Sequence, residues 1–122
     1  MPKTENLERF IAMVESNQHD LAIETFYTED ATMQENQSPP RVGRDFLVAN
    51  ERSVLERIAS VSSKCIRPVF VDGDLVVIRW VFKFTYKNGT GSEIEELAYQ
   101  RWNGELIQQE QFFYDPKQMI PK

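Results

Sequence analysis

The sequence is poor in the residues that carry the commonest catalytic chemistries. It holds one cysteine, Cys65, and one histidine, His19, in 122 residues. A single cysteine excludes an internal disulfide and a cysteine zinc site, and it fits a reducing compartment. One histidine with scattered carboxylates shows no metal-ligand spacing, so no metal is expected. The five glycines form neither a phosphate-cradling loop nor a nucleophile elbow, and no cofactor is expected either. No apolar run approaches the length of a membrane span, and Met1-Pro2-Lys3-Thr4-Glu5-Asn6 lacks the apolar core of a signal peptide. No membrane association is therefore expected, and the cytoplasm is the default location. Basic residues number 14 against 19 acidic ones, for a net charge of −5, and they are scattered along the chain. With no basic stripe to track phosphates, a nucleic-acid partner is not expected.

What the chain does have is aromatic rings, 8 Phe, 4 Tyr and 2 Trp, on a length that suits one domain with one core. Leu7, Phe10, Ile11 and Val14 recur at helical spacing behind Thr4 as an N-cap, which predicts a first helix over 4–16. Asp20 is placed to cap a short second helix carrying Leu21, Phe26 and Tyr27, and Thr28-Glu29-Asp30 ends it. Ala31 to Glu35 alternates as a short strand with Met33 and Glu35 on one side. After the extended Ser38-Pro39-Pro40 loop, residues 45–58 place Phe46, Leu47, Val54, Leu55 and Ile58 on or near one stripe of a third helix. Arg52, Glu51, Glu56 and Arg57 decorate its other faces.

From Lys64 the period changes to two. Asp72-Gly73 is read as the turn between strands 64–71 and 74–86, and a second turn falls at Lys87 to Gly91. The last hairpin turns at Asn103-Gly104 or at Gly104-Glu105, since glycine reaches the positive φ such turns demand. In either register, period-two alternation puts Glu95, Leu97, Tyr99 and Arg101 on one face with Gln108, Glu110, Phe112 and Tyr114. Rings mixed with carboxylates suit a pocket wall better than a packed core, where an unpaired carboxylate is costly. Helices first and a four-strand meander afterwards is an α+β order, with the helices on one face of a curved sheet.

This order resembles the nuclear-transport-factor-2-like superfamily, specifically its SnoaL-like branch. Phe26-Tyr27-Thr28-Glu29-Asp30-Ala31-Thr32 resembles the helix-to-strand junction of that family, and Trp102 to Ile107 with Phe112-Phe113-Tyr114-Asp115-Pro116 resembles its last hairpin. The resemblance implies a cone-shaped fold in which three N-terminal helices pack on a curved antiparallel sheet around an apolar pocket. It also implies pairing as a homodimer through the sheet. Isomerases, polyketide cyclases, epoxide hydrolases, dehydratases and noncatalytic binders share this fold, so fold does not decide function.

Matching the motifs residue by residue puts Glu35 where the steroid-isomerase branch keeps its general base. Phe10 and Leu97 stand where that branch keeps its two oxyanion donors, which disfavours steroid-isomerase chemistry by that route. Arg101 with Glu110 or Glu95 imitates part of the Asp-Arg-Asp arrangement of the epoxide-hydrolase branch, although Arg101 reads as a solvated rim charge. Glu110 is the nearest equivalent of the aspartate that SnoaL-like cyclases keep on the last strand.

Glu110, Glu35 and Tyr99 are therefore the candidate catalytic residues. Burial among rings disfavours the charged form of Glu110 and moves its pKa toward the range useful for proton transfer. Tyr27, Met33, Trp80, Leu97, Phe112, Tyr114 and Phe10 are the candidate ligand-binding residues; the face of the Trp80 row is left open. His19 is read as a solvated turn residue and Cys65 as an inert buried thiol. The expected function is a pocket for a small, largely apolar molecule, with cofactor-free acid-base isomerisation, cyclisation, dehydration or hydrolysis as the chemistry. The alternative is a noncatalytic ligand-binding or homodimerisation module.

Overall fold

A computed structural model describes residues 1–122. Three α-helices, α1 (Thr4–Glu15), α2 (His19–Phe26) and α3 (Arg44–Glu56), accompany six strands. These are β1 (Tyr27–Glu35), β2 (Arg41–Val42), β3 (Ile58–Asp72), β4 (Leu75–Tyr86), β5 (Gly91–Asn103) and β6 (Leu106–Phe113). A short 3-10 turn, Pro116–Met119, follows. The curved sheet is unclosed, in the order β2-β1-β6-β5-β4-β3. The predicted meander is present from β3 to β6. The sheet is not wholly antiparallel, because β1 runs parallel to β6.

Helix α1 buries Leu7, Phe10, Ile11 and Val14, the stripe its 3.6-residue spacing dictates. Thr4 does not cap it; the cap position is Lys3, which makes no side-chain cap bond. Instead Glu105, in the turn between β5 and β6, accepts the Lys3 N–H at 3.0 Å and its carbonyl accepts from Asn6 Nδ2 at 3.0 Å. The last hairpin thus anchors the start of the first helix and satisfies one backbone donor the helix leaves open, the Lys3 N–H. Helix α2 begins at His19 with Gln18 as its cap, so Asp20 lies inside the helix. Strand β1 starts at Tyr27, earlier than alternation predicts, so Thr28-Glu29-Asp30 is strand. In α3, Leu47 and Val48 are buried, while Phe46 projects outward.

Both two-residue hairpins place glycine first. Asp72 pairs with Leu75 around Gly73-Asp74, and Asn103 with Leu106 around Gly104-Glu105. Gly73 and Gly104 take φ of 61° and 62°, which L side chains reach at a cost. The core lies between the helices and the inner sheet face, where Phe10 meets Trp102 edge-on at 6.0 Å between centroids. Val76, Ile78, Trp80 and Phe82 supply the floor from β4. Trp80 therefore faces inward, stacked on Phe82 at 5.5 Å. No helix is long and apolar enough to cross a membrane.

Candidate active site

A cavity of about 220 Å³ opens between the helices and the inner sheet face. Most of its lining is apolar. Glu110, Glu35, Tyr27, Met33, Trp80, Phe112, Tyr114 and Phe10, all expected at the pocket, line it. Tyr99 and Leu97 do not. They lie 41% and 45% exposed on the opposite face of β5, and the hairpin explains why.

Around Gly104-Glu105, uninterrupted pairing would set Tyr99 opposite Glu110. The register instead shifts between Arg101 and Trp102: Trp102 pairs with Ile107, Arg101 with Gln109, and Gln108 is left between them as a bulge. One additional residue moves every later partner by one. Glu110 therefore pairs with Gln100, Phe112 with Ala98, and Tyr99 with Gln111. The inward residues of β5 are Ser92, Ile94, Glu96, Ala98, Gln100 and Trp102, the buried or partly buried half of its alternation. Expected on the pocket face, Glu95 and Arg101 are outside with Tyr99 and Leu97; Glu95 accepts from Arg79 Nε at 2.7 Å. The imitation of an Asp-Arg-Asp arrangement is consequently not assembled.

Glu110 is 3% exposed and both of its oxygens are engaged. The Tyr27 hydroxyl bonds Oε1, and Gln100 Nε2 donates to Oε2 at 2.6 Å. Gln100, itself fully buried, accepts from Trp102 Nε1 at 3.0 Å through Oε1. Burial pushes the Glu110 carboxyl up to about 7, against the lowering effect of its bonds from Tyr27 and Gln100. Tyr27 is raised well above the usual phenol range, by burial first and the charge of Glu110 second.

Glu96 is the site residue that alternation on the wrong register hides. It lines the cavity and makes no side-chain hydrogen bond within the protein. Burial, then the charges of Glu110, Glu35 and Glu51, push its carboxyl up to about 8. At neutral pH it is thus mostly a neutral acid able to donate a hydrogen bond.

Three further groups were not expected here. His19, read as a solvated turn residue, lines the cavity with its side chain 12% exposed. Its Nε2 lies 2.7 Å from Ser63 Oγ and its Nδ1 3.4 Å from Glu51 Oε1. Glu51, placed on the outer face of α3 by helical spacing, turns toward His19 and the cavity instead. Arg41, from β2, approaches Glu35 at 3.7 Å, while its buried Nε–H has no acceptor. Glu35 remains 45% exposed, at the cavity opening. No group of three His, Cys, Asp or Glu side chains has the proximity of a metal site. Cys65 is buried, and burial raises its thiol, as befits an inert core residue.

Solved structures share this architecture at low sequence identity. An NTF2-like protein of unknown function from Burkholderia pseudomallei superposes with a TM-score of 0.80 at 14% identity, covering 95% of this chain and 92% of that one. A protein from Mesorhizobium loti described as a SnoaL-like polyketide cyclase gives 0.77 at 20% identity, covering 93% and 100%. An LEH-like epoxide hydrolase from M. tuberculosis gives 0.77 at 13% identity, covering 94% and 84%. At these identities the likeness concerns the fold. No curated protein matches the chain. The profile of the SnoaL-like domain matches residues 7–109, from α1 to the bulge in β6. This chain belongs to the SnoaL-like domain family of the nuclear-transport-factor-2-like superfamily.

Proposed function

We propose that the cavity, read as the interior of a cone, binds a small, largely apolar molecule bearing an oxygen acceptor and performs cofactor-free acid-base chemistry on it. The observation that carries this reading is Glu96, a carboxyl facing an aromatic cavity with no partner in the protein and a pKa near 8. Such a group is a hydrogen-bond donor at neutral pH, suited to an oxygen on which negative charge develops. Glu35, paired loosely with Arg41 at the opening, is a carboxylate placed to take a proton from the bound molecule. Glu110 supplies a second proton reservoir deeper in the cavity. Together they suit isomerisation, cyclisation, dehydration or hydrolysis, steps in which a proton moves and an oxygen gains charge.

The test is a thermal-shift screen of small ketones, epoxides and lactones, followed by turnover assays on those that raise Tm, since selective binding to the native state stabilises it. Stabilisation by acceptor-bearing compounds over hydrocarbons of equal size supports the reading. Turnover lost in Glu35→Gln while binding persists supports catalysis, and unchanged turnover in that variant refutes it. Absence of any shift across the panel refutes the pocket reading altogether.

A second, compatible reading is homodimerisation through the outer sheet face. It is favoured by contiguous exposed apolar side chains there: Leu97 pairs with Phe113 and Tyr99 with Val77, beside Phe70. A face of this kind on a soluble monomer is a liability unless covered. Light scattering during size exclusion decides it, with a mass of one chain overturning the reading.

A further inference from the structure

Both Glu110 oxygens are engaged within the protein, Oε1 with Tyr27 and Oε2 with Gln100. Which oxygen carries the proton when Glu110 is neutral then decides what the cavity presents. The indole N–H of Trp102 only donates, so it fixes the Gln100 amide with Oε1 toward Trp102 and Nε2 toward Glu110. Glu110 Oε2 consequently faces an N–H donor, and a carboxyl accepts best through its carbonyl oxygen. Oε1, by contrast, faces a phenolic oxygen that can accept as well as donate.

We propose that the Trp102–Gln100 pair places the Glu110 proton on Oε1, so that Glu110 donates to the Tyr27 oxygen and Tyr27 presents its own O–H to the ligand. This rests on the reading of the cavity as a site for an oxygen acceptor and names the group that meets it. Proton exchange with the ligand is then a two-bond relay: Tyr27 gives its hydroxyl proton to the ligand oxygen as Glu110 gives its proton to the Tyr27 oxygen, leaving Glu110 as the carboxylate. Tyr27 is the residue in contact, and Glu110, Gln100 and Trp102 act through it. When Glu110 is ionised the bond reverses, Tyr27 donates to Oε1, and the cavity loses that donor. Other charged groups face the same space, namely Glu96 from β5, Glu51 from α3, His19 from α2, Glu35 from β1 and Arg41 from β2. None of these groups is hydrogen-bonded to the Tyr27 hydroxyl, so they act on the reversal only through their charge, Glu51 on both Tyr27 and Glu110 and Glu96 on Tyr27, while Glu110 makes the bond that reverses.

The full chain, carrying 13C at tyrosine Cζ and glutamate Cδ, is titrated from pH 5 to 9 by NMR. The Tyr27 Cζ signal is expected to move in step with Glu110 Cδ, because its hydroxyl changes from accepting to donating. In Trp102→Phe the Gln100 amide is free to turn over, the proton can shift to Oε2, and the Tyr27 signal should cease to follow Glu110. A wild-type Tyr27 signal that ignores Glu110 overturns the proposal, and so does a folded Trp102→Phe protein in which the coupling is unchanged. Acetophenone binding gives a second readout that does not depend on Trp102→Phe folding. Tyr27→Phe should weaken it about tenfold at pH 5.5, the worth of one hydrogen bond, and leave it unchanged at pH 8.5. Equal binding to both proteins at pH 5.5 overturns the donor role of Tyr27. If acetophenone fails to bind the wild type while Tyr27 and Glu110 titrate together, the proton placement stands and the acceptor-binding reading falls.

Discussion

Glu95 and Glu96 are neighbours on one strand and live in opposite environments. Glu95, on the outer face, is half-exposed and bonded to Arg79, so water and a cation both support its charge. Glu96, on the inner face, is only partly exposed and has no paired cation, and its carboxyl rises to about 8. The same contrast runs along the sheet: outside, charges and rings such as Arg101, Tyr99 and Phe113 are exposed; inside, rings are buried and carboxyls outnumber the cations that face them. Chemistry in this molecule is set by which way the pleat points a side chain.

The largest effect that separates the two faces should be on turnover. Glu96→Ala is expected to lower kcat about 10²- to 10³-fold, the usual cost of one lost donor to a developing oxyanion, whereas Glu95→Ala should leave it unchanged. Comparable losses in both variants, measured on any substrate found by the ketone and epoxide screen, would break the comparison. The next effect is on stability. Glu96 and Glu110 hold protons in the folded state that the unfolded chain releases above about pH 4.5. Their contribution to folding stability is therefore fully present at or below that pH and is lost as pH rises through 7 and 8, because the native state binds more protons across that window. Urea denaturation should show a loss of several kcal/mol between pH 5 and 8.5, and a markedly flatter profile for Glu96→Gln. A flat wild-type profile would mean the inner carboxyls are solvated like the outer ones.

On the outer face, Tyr99→Lys should shift the light-scattering mass toward a single chain without altering that pH profile. A changed profile would show that the two faces are coupled. Smallest of all, Arg79→Ala should cost about 0.5 kcal/mol in urea denaturation, since half-exposed ion pairs contribute little. A cost several times larger would place Glu95 in a less solvated setting than its exposure indicates.

Much of this was legible in the sequence. The helical stripe of Leu7, Phe10, Ile11 and Val14, and the change to period two after α3, fixed the α+β order, and the Tyr27 junction and the last hairpin pointed to the family. Met33 and Glu35 reached the cavity because nothing interrupts their short alternation. The faces of the last hairpin were not legible, because a bulge at Gln108 carries no composition signal and reverses the relation between β5 and β6. That one residue exchanges Tyr99 for Gln100 opposite Glu110, and with it Leu97 for Glu96 beside the cavity. The buried row Ala98, Gln100 and Trp102, alternating with exposed Leu97, Tyr99 and Arg101, offered a weak hint, since Ala and Trp favour a core that Arg avoids. His19, Glu51 and Arg41 come from separate elements, and their convergence depends on how the helices sit on the sheet rather than on any local pattern.

The parallel pairing of β1 with β6 bears on the order in which the molecule assembles. Strands β3 to β6 can zip together through two tight turns and one short loop, whereas β1 must find β6 from the other end of the chain. Closing so long a loop costs entropy before its contacts repay it, so this pairing is expected late in folding. Tyr27 and Glu110 lie on the two strands that meet in that step. The deepest polar contact of the cavity is thus made at the close of folding, and until then Glu110 titrates as an ordinary acid in water.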